Sequence, residues 1–79
     1  MNTSRIQYKP LATDVRVTPS VLRVTLADGR EIAVPLEWFP RLHKASRKQR
    51  GNWRLIGGGV GIHWEEVDED ISVHALLTK

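Results

Sequence analysis

The residues of this chain with the richest chemistry stand together near its C-terminus. Glu65, Glu66, Asp68, Glu69 and Asp70 place five carboxylates within six positions, and His63 lies two residues ahead of them. Paired carboxylates can divide the roles of proton donor and acceptor. His63 with Asp68 and Asp70 also offers the donor types that a divalent cation takes. Neither chemistry has its pattern here. The run lacks the length and the central glycine of an EF-hand loop. His43, His63 and His74 fall in three separate expected elements, and none has a Ser, Thr or Asp at triad spacing. With no Cys in the chain there is no thiolate ligand, no Cys nucleophile and no disulfide. The acids therefore read as a polar turn. Asp70 or Ser72 would accept N–H groups at the start of a last helix, and Asp68 or Glu69 would meet an arginine. His63, Trp64, Asp68, Glu69 and Asp70 form a motif that is structural or contacts a partner. No enzyme, metal or cofactor is expected.

The second candidate is basic. Arg41, Lys44, Arg47, Lys48, Arg50 and Arg54 crowd the middle of the chain. Spacings of three and four would put several of them on one helix face, where they can contact phosphates or simply face water. The glycine run Gly57-Gly58-Gly59-Val60-Gly61 lacks the Gly-Lys-Ser/Thr ending of a P-loop, and its strand and helix come in the wrong order for a dinucleotide fingerprint. It reads as a turn, with an anion-binding nest as the functional alternative. Of the tryptophans, Trp38 and Trp64 are expected in the core and Trp53 in the core or at its rim. An exposed one would mark a contact hot spot.

These residues must be positioned by a chain of only 79 residues, one small domain with a formal charge of +3. The positive charge sits in the middle and the negative charge in the C-terminal third, giving two blocks that either face each other or serve two partners. No run approaches the length of a membrane helix and no leader is visible, so a soluble cytoplasmic protein is expected. Residues 1–13 read as a flexible arm and residues 14–79 as one α+β domain.

Within that domain, Asp14–Thr18 alternates with Val15 and Val17 on one side. Val21–Leu26 alternates with Leu22, Val24 and Leu26 inward. Asp28-Gly29 predicts a type I′ hairpin into Glu31–Pro35, with Ile32 and Val34 inward. A helix is expected near Leu36 with a Trp38/Leu42/Ala45 stripe. Ser46 with Gln49 forms a capping-box pattern opening a second helix, from Arg47 to about Trp53. Ile62-His63-Trp64 reads as a short fourth strand, and Ser72 caps a last helix, Val73–Leu77. The expectation is a small antiparallel sheet, a meander of three strands plus a short fourth, packed on two or three short helices.

Asp28-Gly29-Arg30, Val34-Pro35-Leu36, Pro40-Arg41-Leu42, Ala45-Ser46, Gln49-Arg50 and the ending Gly61-Ile62-His63-Trp64 … Asp68-Glu69-Asp70-Ile71-Ser72-Val73 together resemble a widespread bacterial domain-of-unknown-function family. Glu66 departs from it, standing where the family often has Pro. The resemblance spans nearly the whole domain and implies an antiparallel sheet with short helices. Some members carry a helix-turn-helix domain after this one, and stand-alone members are often encoded beside another small protein of unknown function, pairs that have been likened to toxin–antitoxin modules. It implies no catalytic residues. The expected function is a non-enzymatic protein-interaction module, the antitoxin-like or regulatory half of such a pair. Its partner is another protein and no membrane is involved. The alternative is a nucleic-acid-binding domain using residues 41–54.

Overall fold

The computed structural model describes residues 10–78. Most of the arm expected over residues 1–13 lies outside the described residues. The first strand begins earlier than Asp14, because Ala12 is already buried.

Strands β1 (Ala12–Val17), β2 (Val21–Leu26) and β3 (Glu31–Pro35) form an antiparallel meander in that order. Leu22 pairs with Val34 and Val24 with Ile32, which keeps the apolar alternation on one face. Thr18 closes the first turn, its hydroxyl accepting the N–H of Val21 at 2.9 Å and of Ser20 at 3.3 Å. The second turn differs from the expected type I′. Gly29 has φ of 94°, whereas Asp28 has no positive φ. Asp28 instead turns its carboxylate back to accept the backbone N–H (3.0 Å) and guanidinium (2.7 Å) of Arg30. A three-residue loop with a single left-handed glycine satisfies the same hairpin.

The helical stretch is broken in three. A 3-10 turn spans Leu36–Trp38, α1 spans Pro40–His43 and α2 spans Arg47–Gly51. Phe39 precedes a proline, which disfavours helical backbone, and it adopts φ −123° and ψ 84°. Trp38 and Leu42 are therefore not on one continuous helix. Leu36 and Leu42 are fully buried, and Trp38, expected in the core, is 44% exposed. The capping box at α2 forms as expected, with Ser46 Oγ accepting from Gln49 N (3.1 Å) and Gln49 Oε1 from Ser46 N (2.9 Å). Helix α2 stops at Gly51, before the expected Trp53.

The C-terminal half carries the main correction. In place of one short fourth strand there is a second three-stranded antiparallel sheet, ordered β4 (Trp53–Ile56), β5 (Gly61–Trp64), β6 (Glu69–Ser72). Two compact turns make it possible. Gly57, Gly58 and Gly59 have φ of 61°, 71° and 111°, which reverse the chain between β4 and β5. Asp68, at φ 52°, completes the turn after Trp64, a left-handed position that Asp tolerates. The acidic run is thus half turn and half strand. Helix α3 (Val73–Leu77) follows directly, with Ser72 Oγ accepting from Ala75 N. Val73 and Leu76 are buried as expected, while Leu77 is 39% exposed.

One apolar cluster joins everything. It contains Leu22 and Val24 of the first sheet, Ile62 and Trp64 of the second, Leu42 of α1 and Val73 of α3. The sheets are also tied by backbone: Ala12 N–H donates to Gly59 O at 2.7 Å. Among the described residues, no helix is long and apolar enough to cross a membrane.

Candidate functional site

Alternation along β5 decides which chemistry faces outward. Ile62 and Trp64 are fully buried, so Gly61 and His63 lie on the other face. Cross-strand register sets Arg54, His63 and Asp70 in one row across that face. Glu65, two residues after His63, reaches the same row from the start of the acidic turn.

His63 is held between two carboxylates. Its Nε2 lies 2.7 Å from Glu65 Oε2 and its Nδ1 2.5 Å from Asp70 Oδ1. A neutral imidazole has one N–H and one lone pair, so one carboxylate would face a lone pair. Both contacts are satisfied only by the imidazolium, which donates twice. Accordingly the hydrogen bond to Glu65, then that to Asp70, raise the His63 pKa above the ordinary histidine value, against the desolvation of its ring. Glu65 is held below the usual glutamate range, first by His63 and then by Arg54, whose Nη2 lies 3.8 Å from Oε1. The ring is 12% exposed, whereas the Glu65 and Asp70 side chains are 71% and 72% exposed. Both ring nitrogens are occupied, so in this state His63 has no lone pair for a metal or a substrate proton.

Beside this charged row is an apolar groove of about 280 Å³, lined by Ile56, Gly57, Val60, Gly61, Asp70 and Ser72 among others. Ile56 is 44% and Val60 54% exposed. On the other side of His63, Asn52, Trp53, Arg54 and Glu65 border a second depression of about 300 Å³.

The remaining expected residues separate. Trp64 is a core anchor, its Nε1–H donating to Arg50 O at 2.9 Å. Asp68 meets an arginine, as anticipated for it or Glu69, but through its backbone: Arg41 Nη1 donates to Asp68 O at 2.7 Å. Asp68 does not join the His63 cluster, and Glu69 pairs with Trp64 at the start of β6. Among the described residues, no group of His, Cys, Asp and Glu is gathered as metal ligands. The six cations are not one face, because α1, α2 and β4 divide them. Arg50 is half-buried and clamps the end of α1, Nε donating to Leu42 O (3.3 Å) and Nη2 to His43 O (3.2 Å). Lys44, Arg47 and Lys48 stay exposed, with no carboxylate within 4.0 Å among the described residues.

Sequence reasoning missed Glu65, Ile56 and Val60. The His63–Glu65 spacing of two was a same-side signal, obscured once the acids were read only as a turn. Ile56 was legible only with β4 recognised, since its outward direction follows from Trp53 and Leu55 pointing in.

The fold and this surface define a small α+β domain of two three-stranded antiparallel sheets sharing one core, with a polar and apolar face on the second sheet. The chain belongs to the family described as Protein of unknown function (DUF2442), whose model matches residues 12–79. The crystal structure of a protein of unknown function from Rhodospirillum rubrum ATCC 11170, at 2.75 Å resolution, is similar: 30% identity, TM-score 0.78, covering 90% of this chain and 88% of that one. A comparison with curated proteins gives no match.

Proposed function

We propose that this domain is a non-enzymatic protein-interaction module of the cytoplasm that holds a partner segment on the outer face of β4–β5–β6. The observation that carries this reading is the exposed Ile56–Val60 groove with Asp70 on its rim. Both are already half-buried, so covering what remains exposed is worth about 1 kcal/mol each, half the value for full burial. Asp70 commits one oxygen to His63 and leaves the other for a partner. Charge complementarity then specifies the occupant: a protein segment with aliphatic side chains for the groove and a Lys or Arg for Asp70. The occupied nitrogens of His63 support binding over proton transfer. The family resemblance extends the proposal to the antitoxin-like or regulatory half of a pair of small proteins.

Selection from a displayed library of short peptides tests it. Enriched sequences should combine aliphatic residues with Lys or Arg, and should lose binding to Ile56→Asp and Val60→Asp variants whose melting temperature is unchanged. Enrichment of acidic sequences, or binding indifferent to both substitutions, would refute the assignment. The alternative, nucleic-acid binding through the basic segment, is favoured by Lys44, Arg47 and Lys48, which have no carboxylate within 4.0 Å among the described residues. It predicts affinity that falls steeply with salt, and no binding at low ionic strength dismisses it.

A further inference from the structure

Helix α2 packs against β1. Between α2 and the β1–β2 turn lies a depression of about 350 Å³ lined by Val17, Thr18, Pro19, Arg47 and Arg50. We infer that this depression is a binding site for a phosphoryl group, gripped by the two guanidinium groups.

Two observations lead there. First, two arginines line one small space, and among the described residues no carboxylate comes within 4.0 Å of either. Of the other described arginines, all but Arg41 pair with a carboxylate. Arg16, Arg23, Arg30 and Arg54 pair with Asp14, Glu31, Asp28 and Glu65, and Arg41 takes the Asp68 carbonyl. Two unneutralised guanidinium groups together repel each other, and an anion between them relieves that repulsion. Second, Arg50 is already fixed. Its Nε and Nη2 are held by the carbonyls of Leu42 and His43, and among the described residues Nη1 has no hydrogen bond. A guanidinium held in this way loses little freedom on binding, and its remaining Nη1 hydrogens can donate to a phosphate oxygen. The Thr18 hydroxyl spends its hydrogen on the Val21 carbonyl and accepts from the N–H groups of Ser20 and Val21, so it supplies no donor and the grip falls to the arginines. Val17 and Pro19 add an apolar wall, which suits a phosphate ester better than the bare ion.

The phosphoryl group can belong to free phosphate, a mononucleotide or a nucleic-acid strand. The test is an amide and arginine Nε–H NMR titration of the full chain with sodium phosphate, adenosine monophosphate and a single-stranded oligonucleotide, each against sodium chloride at matched ionic strength. Shifts should be confined to Val17–Val21 and Arg47–Gly51 and should saturate. Arg47→Gln should weaken binding about tenfold or more, with an unchanged melting temperature, while Lys44→Gln should change affinity by less than about threefold. Saturation by any of the three ligands through these residues supports the site and identifies the source. Shifts that chloride reproduces, that spread over all the cations, or that survive Arg47→Gln overturn it. The peptide selection on the sheet face is unaffected by either result.

Discussion

Trp64→Phe is the sharpest test of how the outer face is supported. Trp64 is fully buried on the reverse side of the strand that presents His63. Its indole N–H donates to the carbonyl of Arg50, the same residue whose guanidinium clamps the end of α1. One side chain therefore links β5 to α2, and through Arg50 to α1. Phenylalanine keeps most of the apolar volume and removes the donor. Leaving the carbonyl without its partner costs about 1–1.5 kcal/mol. Losing the rest of the ring costs about as much again, since each buried methylene equivalent is worth about 0.8 kcal/mol. The sum is about 2–3 kcal/mol. In a domain of this size each kcal/mol lowers the melting temperature by about 4–8 °C, so thermal unfolding followed by circular dichroism should shift down by about 10–20 °C. The raised His63 titration, followed by imidazole proton NMR well below the transition, should persist, because its partners are on the other face. A fall of less than about 4 °C would mean that the indole bond and its packing do not hold this junction.

Two other perturbations follow from the same coordinates. The folded-state pKa of His63 is raised, so its contribution to stability is fully present below the ordinary histidine value of about 6.5 and is lost as pH rises through the folded pKa. Urea midpoints should therefore fall across that interval in the wild type and stay flatter in His63→Gln; a wild-type midpoint that rises there contradicts the imidazolium assignment. The lowered Glu65 carboxyl acts in the opposite direction, its contribution being lost as pH drops through its folded value below 4.5. Gly59→Ala should destabilise more than Gly58→Ala. Both positions have positive φ, worth about 1–2 kcal/mol of strain for alanine, but a Cβ at Gly59 also meets the Ala12 carbonyl oxygen at 2.4 Å, whereas none lies within 4 Å at Gly58. Equal melting temperatures for the two variants would remove Gly59 as the point of close approach between the sheets.

The first meander was legible because its alternation and turn residues agree. Leu22, Val24 and Leu26 point inward as their period demands, and Ser46 with Gln49 caps α2 as their spacing demands. The second sheet was not legible for a physical reason. Its three strands are four residues each, too short to establish a period. β6 also begins with two acids, which local propensity assigns to a turn. What makes Glu69–Ser72 a strand is pairing to β5, a tertiary cause. Trp38 failed similarly: the three-and-four spacing to Leu42 was real, but the Phe39–Pro40 step breaks the helix that would give it meaning.

The candidate site follows the same division. His63 was singled out by its neighbours Ile62 and Trp64, and those neighbours are what turn it outward. Its partners, however, arise from different geometry. Glu65 is reached because it opens the turn two residues on and comes back to the His63 ring. Asp70 is reached only because Asp68 takes a left-handed conformation and lets β6 return beside β5. Asp68, named beside Asp70 as a candidate ligand, thus acts through its backbone, making the turn that delivers Asp70 to the histidine. A non-glycine residue without that tolerance at position 68, such as valine, would disturb both the hairpin and the His63–Asp70 contact, while leaving the first sheet's pairing intact. The acids of this run thus have two separate uses, a left-handed turn position at Asp68 and charge at Glu65 and Asp70, and only the second belongs to the outer face.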